Sequence, residues 1–191
     1  EVTNVGSDRA QLVKMAEAAR EALGTEKLTA IADRGYYSSE QIKGCEDAGI
    51  APVVPKPITS NSAADGRYEK WDFTYLPKRD AYRCPAGEYA IRRFASQEHG
   101  LTYYKYWSSA CPRCALQSKC TTGDYRRLTR WEHEAVLERM QARLERDPTL
   151  MITRRRTVEH TFGTIKAWMG ATHFLCRRLP RVSAEMSLHV L

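Results

Sequence analysis

Three features of this 191-residue sequence predict an α/β fold that carries a small β-rich insertion. Residues 8–33 pass from a helical apolar period to a compact apolar run ending at Asp33; residues 68–127 hold short alternating aromatic runs and four cysteines; residues 129–170 return to helical periodicity. The expected organisation is a first core segment over residues 1–60, a cysteine-bearing insertion over 61–127, and a helical return to the core over 128–191.

The bulk properties set limits. A chain of this length with 42% hydrophobic residues can build one ordinary domain, or a core with an inserted module. The net charge of +7 points to a polyanionic partner, and the imbalance is local. Residues 1–50 carry 6 Lys/Arg against 9 Asp/Glu, whereas residues 51–191 carry 24 against 14, so the basic surface is expected downstream. No apolar run is long enough to span a membrane as a helix, and the first residues do not read as a signal peptide, so a cytoplasmic location is the expectation.

In chain order, Glu1-Val2-Thr3 reads as the tail of a strand. Ser7 or Asp8 can cap a helix whose stripe is Leu12, Met15, Ala16, Ala19 and Leu23, and Gly24 can end it. Leu28 to Ala32 form a strand that delivers Asp33 to its end. Gly35, Ser38 and Ser39 then give a turn and a helix start, with the helix running to Ala48. The competing reading is that Asp33 merely opens a turn. A second strand is expected around Ile50–Val54, and the polar stretch TSNSAADGRYEKWDF marks a loop and boundary.

The insertion is expected to contain hairpin strands at Trp71–Tyr75 and Tyr103–Trp107. Cys111-Pro-Arg-Cys114 has the spacing that lets two thiolates hold one zinc from a tight turn. Cys84 and Cys120 offer the thiolates to complete a structural zinc site, whose binding energy would appear as folding energy. Unliganded thiols, a redox pair and disulfides are the alternatives; a redox pair lacks its usual helical context, and disulfides fit poorly in a cytoplasmic chain. Cys45 and Cys176 have no partner at ligand spacing and read as buried or incidental.

Residues 129–146 predict a helix capped by Thr129 with Trp131, Val136, Leu137, Met140 and Leu144 as its stripe, ended by Asp147-Pro148. Over residues 154–170 a regular helix would put Arg155, Glu159 and Lys166 on one face, a carboxylate between two cations. Val158, Ile165, Trp168 and Met169 would be buried on another face. The plain alternative is an exposed helix whose ion pairs contribute about 0.3–0.5 kcal/mol each. Arg156, Arg177 and Arg178 add cationic groups suited to a phosphate backbone, and a final helix from about Pro180 is expected to pack on the core.

Two stretches carry a family resemblance. Ala32-Asp33-Arg34-Gly35-Tyr36, together with Arg155, three residues, Glu159, six residues and Lys166, resembles the second and third acidic sites of a bacterial insertion-sequence transposase of the DDE type. The tyrosine usual three positions before the arginine is replaced by Ile152. VEHTFGTIKAWMG and HFLCRRLPRVSAEMSLHVL are similar to the C-terminal part of one subgroup, which also carries a cysteine-bearing insertion between those acids.

This resemblance implies a partial RNase H-like core, without its leading strands. It implies Asp33 and Glu159 as catalytic ligands of Mg²⁺, two ions in the full-length enzyme, for phosphodiester cleavage and strand transfer. Mg²⁺ prefers carboxylate oxygens, which the fold must bring together from distant parts of the chain. Arg155, Lys166, Arg156, Arg177 and Arg178 are the expected DNA contacts, with transposon ends and target DNA as partners and assembly as homo-oligomers. No residue here matches the family's first aspartate, so this chain alone is expected to be inactive. The alternative is a zinc-stabilised nucleic-acid-binding module without a catalytic role; the separation of the Asp33 and Glu159 carboxylates distinguishes the two.

Overall fold

The computed structural model describes residues 2, 5–57 and 62–190. The strand expected at Glu1-Val2-Thr3 and the start of the polar loop fall outside the described residues. The chain divides into two compact units, one built from residues 1–57 and 135–191 and the other from residues 58–134.

The first unit assembles two segments distant in sequence. Ser7 caps a 3₁₀ turn, Asp8–Ala10, that leads into α1 (Leu12–Leu23), and α1 ends at Gly24, whose φ of 59° is the left-handed conformation glycine adopts without strain. Then come β1 (Leu28–Ile31), α2 (Ser39–Asp47) capped by the Ser38 hydroxyl, and β2 (Ile50–Val53). β1 and β2 pair in parallel, Leu28 opposite Ile50 and Ile31 opposite Val53, with α2 as the crossover that a parallel pair requires. Downstream, α3 (Glu134–Arg146) is followed by α4 (Thr149–Arg154), a π-helical turn over Arg155–Glu159, α5 (His160–Gly163), a second π-helical turn over Thr164–Trp168, and α6 (Leu179–Val190).

The core of this unit joins Leu12 and Ala16 of α1, Ile42 and Cys45 of α2, Ile50, Val54, and Val136 and Met140 of α3. Helices α1 and α2 approach closely at Gly44, where an added Cβ would lie 2.8 Å from Val13 Cγ2. Burial pushes the Cys45 thiol up to about 11, so it remains a neutral, apolar filler. Glu46 receives hydrogen bonds from both Arg139 and Arg143, tying α2 to α3.

The second unit is a five-stranded antiparallel sheet in sequential order: β3 (Thr74–Leu76), β4 (Ala81–Arg83), β5 (Tyr89–Glu98), β6 (Leu101–Trp107) and β7 (Leu128–Trp131). His99 and Gly100, with φ of 53° and 80°, make the two-residue turn between β5 and β6. Phe73, Tyr82, Ala90, Tyr106 and Leu128 form its core. Asp80 accepts the hydroxyls of Tyr75 and Tyr106 at 2.9 and 2.6 Å. Burial opposes ionisation of Asp80, but those hydroxyls and the Arg92 guanidinium hold its carboxyl below the usual range.

Four expectations are corrected. The strand expected at Trp71–Tyr75 begins only at Thr74, because Lys70–Asp72 close into a 3₁₀ turn in which Glu69 and Asp72 cap each other's backbone. Residues 128–131 form a strand instead of the start of a helix, because Leu128, Arg130 and Trp131 are buried along β6, with Tyr103 opposite Trp131. Of the apolar face assigned to residues 154–170, Ile165 is buried, while Val158 and Met169 are exposed and Trp168 is 89% exposed. Helix α6 buries none of its residues, so its apolar positions do not seal the core as expected.

The Glu46 clamp makes a pH prediction. Burial raises the Glu46 carboxyl, but the two arginines outweigh it and the folded value lies below 4.5. A depressed carboxylate gives stability that is complete above its unfolded value and is lost as pH falls through the folded one. Glu46→Gln is therefore expected to lose less stability than the wild type when urea denaturation is repeated from about pH 6 down to about pH 3.

Candidate active site

Asp33 stands two residues beyond β1, where the chain leaves the sheet. Ala32 still belongs to the ladder through its N–H donated to the Val53 carbonyl at 3.0 Å. At Asp33 the backbone stays extended and the side chain caps a 3₁₀ turn, Arg34–Tyr36, with Oδ1 accepting the Gly35 N–H at 2.8 Å. Asp33 thus opens a turn, as the plainer reading expects, through one oxygen, and its other oxygen is left to a long-range partner. Oδ2 accepts a hydrogen bond from Nη2 of Arg154 at 3.0 Å.

Glu159 reaches the same guanidinium. Arg154 Nη1 donates to Glu159 Oε1 at 3.1 Å, so one fork joins two carboxylates that lie 125 residues apart in the intervening sequence. The two bonded oxygens are consequently separated by no more than about 8 Å, the span of a guanidinium and its two hydrogen bonds. The Arg154 side chain is 16% exposed, against 47% for Asp33 and 54% for Glu159. With the carboxylates half in water, each bridge contributes at most about 1 kcal/mol.

Arg154 was not among the cations singled out from the sequence, and the helix geometry explains why. A regular helix brings residues four apart together, which pairs Arg155 with Glu159. Across the π-helical turn Arg155–Glu159 the hydrogen-bond spacing lengthens to five residues, and the residue five before Glu159 is Arg154. Arg155 Nε remains 4.0 Å from Glu159 Oε2, and its side chain is 76% exposed. Threonine hydroxyls accompany the wider winding: Thr157 donates to the Thr153 carbonyl, Thr161 to that of Thr157 and Thr164 to that of His160. Such bonds compete with the helical ladder, and this run of threonines is the signal that the sequence offered.

The remaining cations are dispersed. Lys166 and Arg156 lie exposed on the same helical segment, and Arg177 and Arg178 are exposed on the connection to α6. Close to Asp33, the hydroxyl of Tyr36 is pushed above its ordinary value by burial and then by the carboxylates of Asp8 and Asp33. Among the described residues, no group of three or more His, Cys, Asp or Glu side chains is disposed to hold a metal ion.

In the second unit Cys84, Cys111, Cys114 and Cys120 line one small apolar cavity, with Tyr68 and Phe73 on its wall. Cys111–Arg113 is a tight turn that returns the Cys114 N–H to the Cys111 carbonyl, and the Leu116 N–H points at Cys114 Sγ at 3.4 Å. Burial raises the Cys120 thiol to about 11, with the neighbouring thiols adding to the effect.

The first unit thus brings two carboxylates together beside a helical segment that carries several exposed cations. The model of the transposase DDE domain matches residues 2–191, and the chain belongs to that family. Its mixed α/β architecture is consistent with the RNase H-like domain of such transposases. Comparison with curated proteins and with solved structures returned no match.

An added Cβ at Gly35 would lie 3.0 Å from Asp33 Oδ1. Gly35→Ala is expected to shift that carboxylate, weaken its cap, and destabilise the chain by about 1 kcal/mol in urea denaturation.

Proposed function

We propose that Asp33 and Glu159 are the second and third acids of a transposase active site, acting on the phosphodiester bonds of transposon ends and target DNA. One observation supports this reading above the others: a single guanidinium bonds the carboxylates of both Asp33 and Glu159, the two residues that the family resemblance points to. Oxygen donors of this kind suit Mg²⁺, and Arg154 shows that the gap between them accommodates positive charge. The bound metals would activate a water or 3′-hydroxyl and stabilise the leaving oxygen.

The chain's own residues have separable tasks. Asp33, fixed by its cap to Gly35, supplies Oδ2 from the end of β1; Glu159 supplies its carboxylate from the helix. Arg155 and Lys166, exposed beside Glu159, would take phosphate oxygens near the reacting bond, and Arg156, Arg177 and Arg178 would extend that contact along the backbone. Such contacts give affinity without sequence preference and weaken with added salt. Assembly as a homo-oligomer on paired ends belongs to the same reading.

The test is Mn²⁺ titration by calorimetry on the folded chain. Binding that is weakened at least about tenfold by Asp33→Asn and by Glu159→Gln supports the acid pair as ligands. Binding indifferent to both substitutions, with DNA affinity intact, favours a nucleic-acid-binding module in which these carboxylates are structural.

The four cysteines carry a separate proposal of structural zinc. Convergence of four thiols on one cavity and the N–H directed at Cys114 Sγ favour it, although the turns must close on the ion to reach coordinating distance. Metal analysis of the purified chain is expected to return one zinc per chain, lost in Cys111→Ser and Cys114→Ser. Retention of zinc in those variants, or its absence from the wild type, rules the site out.

A further inference from the structure

The position of Arg154 has a consequence for how metal reaches the acid pair. Asp33 Oδ1 already accepts the Gly35 N–H, and Oδ2 is the oxygen turned away from its own turn toward the helix. That oxygen is the one bonded to Arg154, and Arg154 also holds Oε1 of Glu159. A divalent cation placed between the two carboxylates would need the space that the guanidinium fills and would meet it at Asp33 Oδ2 and Glu159 Oε1. The two cations are competitors for one place.

Arg154 is built into that place. It is the last residue of α4, which packs against β1, and its side chain is the most enclosed of the three. The π-helical turn that follows directs the fork at Glu159 where a regular turn would have offered Arg155. Without a counter-charge, two carboxylates brought together repel each other and favour opening of the site. A monovalent guanidinium cancels part of that repulsion, and it yields to a divalent ion because the ion brings twice the charge to the same oxygens.

Resting on the assignment of Asp33 and Glu159 as metal ligands, we propose that Arg154 is an intramolecular counter-cation that holds the acid pair together in the metal-free chain and is displaced from it when a divalent cation binds. Arg154 is a positioning residue for the acids and sets the threshold of metal concentration at which the site fills. This role is distinct from the phosphate contacts assigned to Arg155 and Lys166.

Mn²⁺ titration of the wild type, Arg154→Ala and Arg154→Lys, with thermal melting followed by circular dichroism, tests it. Removal of the competitor is expected to tighten Mn²⁺ binding by Arg154→Ala about tenfold, the worth of one charge-assisted interaction released from the carboxylates. Arg154→Lys should fall between the two, since an ammonium lacks the fork that joins both acids. Metal-free Arg154→Ala should melt below the wild type and recover with Mn²⁺, and its gain in affinity should vanish in the Asp33→Asn background.

Equal or weaker Mn²⁺ binding by a cooperatively melting Arg154→Ala overturns the proposal. It leaves the acid-pair assignment standing where wild-type binding still depends on Asp33 and Glu159. If Arg154→Ala does not fold, Arg154→Lys decides, and an affinity no higher than the wild type overturns the proposal. Mn²⁺ binding by none of the three proteins overturns the proposal and the assignment together.

Discussion

The docking of α3 onto the β1–α2–β2 segment is the constraint on which the first unit depends. Met140 is 1% exposed among Ile42, Cys45, Ile50 and Val54, and its sulfur accepts the Val54 N–H at 3.4 Å. Arg139 and Arg143 meet Glu46 along the same seam. These contacts close a unit whose two halves are separated by the whole of the five-stranded sheet unit in sequence. They also fix the start of the helical segment that carries Arg154 and Glu159 back to the end of β1.

A gradient of packing follows from that seam. Tight contacts occur where α1, α2 and α3 meet the two parallel strands, and burial declines along the chain until α6 has no buried residue. The acid pair lies where the dense part gives way to the exposed part. Asp33 is anchored by a strand and a cap, whereas Glu159 rides on a helix whose winding alternates between α and π turns. One carboxylate is thus held by the sheet and the other by a deformable element, and Arg154 connects them. π-helical turns are frequent at functional sites for this reason: they redirect a side chain without breaking the helix.

The second unit solves a different problem. Its sheet is short-stranded and draws its core from aromatic rings, with Tyr75, Tyr82 and Tyr106 packed at centroid distances of 5.0 to 6.3 Å. Aspartate 80 orders two of their hydroxyls, which gives the ring cluster a polar anchor at one end. Arginines stack over several rings, Arg130 on Tyr75 and Arg92 on Tyr104 at 3.7 and 3.8 Å. The basic excess of this region is thereby partly spent on its own structure.

Much of this was legible in the sequence because it rests on local rules. Caps at Ser7 and Ser38, the glycine end of α1, the apolar run before Asp33 and the alternating aromatics of β6 are each decided within a few residues. Asp33 and Glu159 were singled out by the family pattern of spacing, and the guanidinium of Arg154 bonds both. Three matters were decided only by tertiary structure. Residues 128–131 became a strand because β6 offered an open edge and a buried face, overriding a helical reading of the same letters. The apolar residues of 154–170 stayed mostly exposed because burial requires a neighbouring surface, which periodicity does not supply. Glu159 keeps Arg155 only at 4.0 Å and takes its hydrogen bond from Arg154, because the wider π-helical turn brings the residue five positions back within reach.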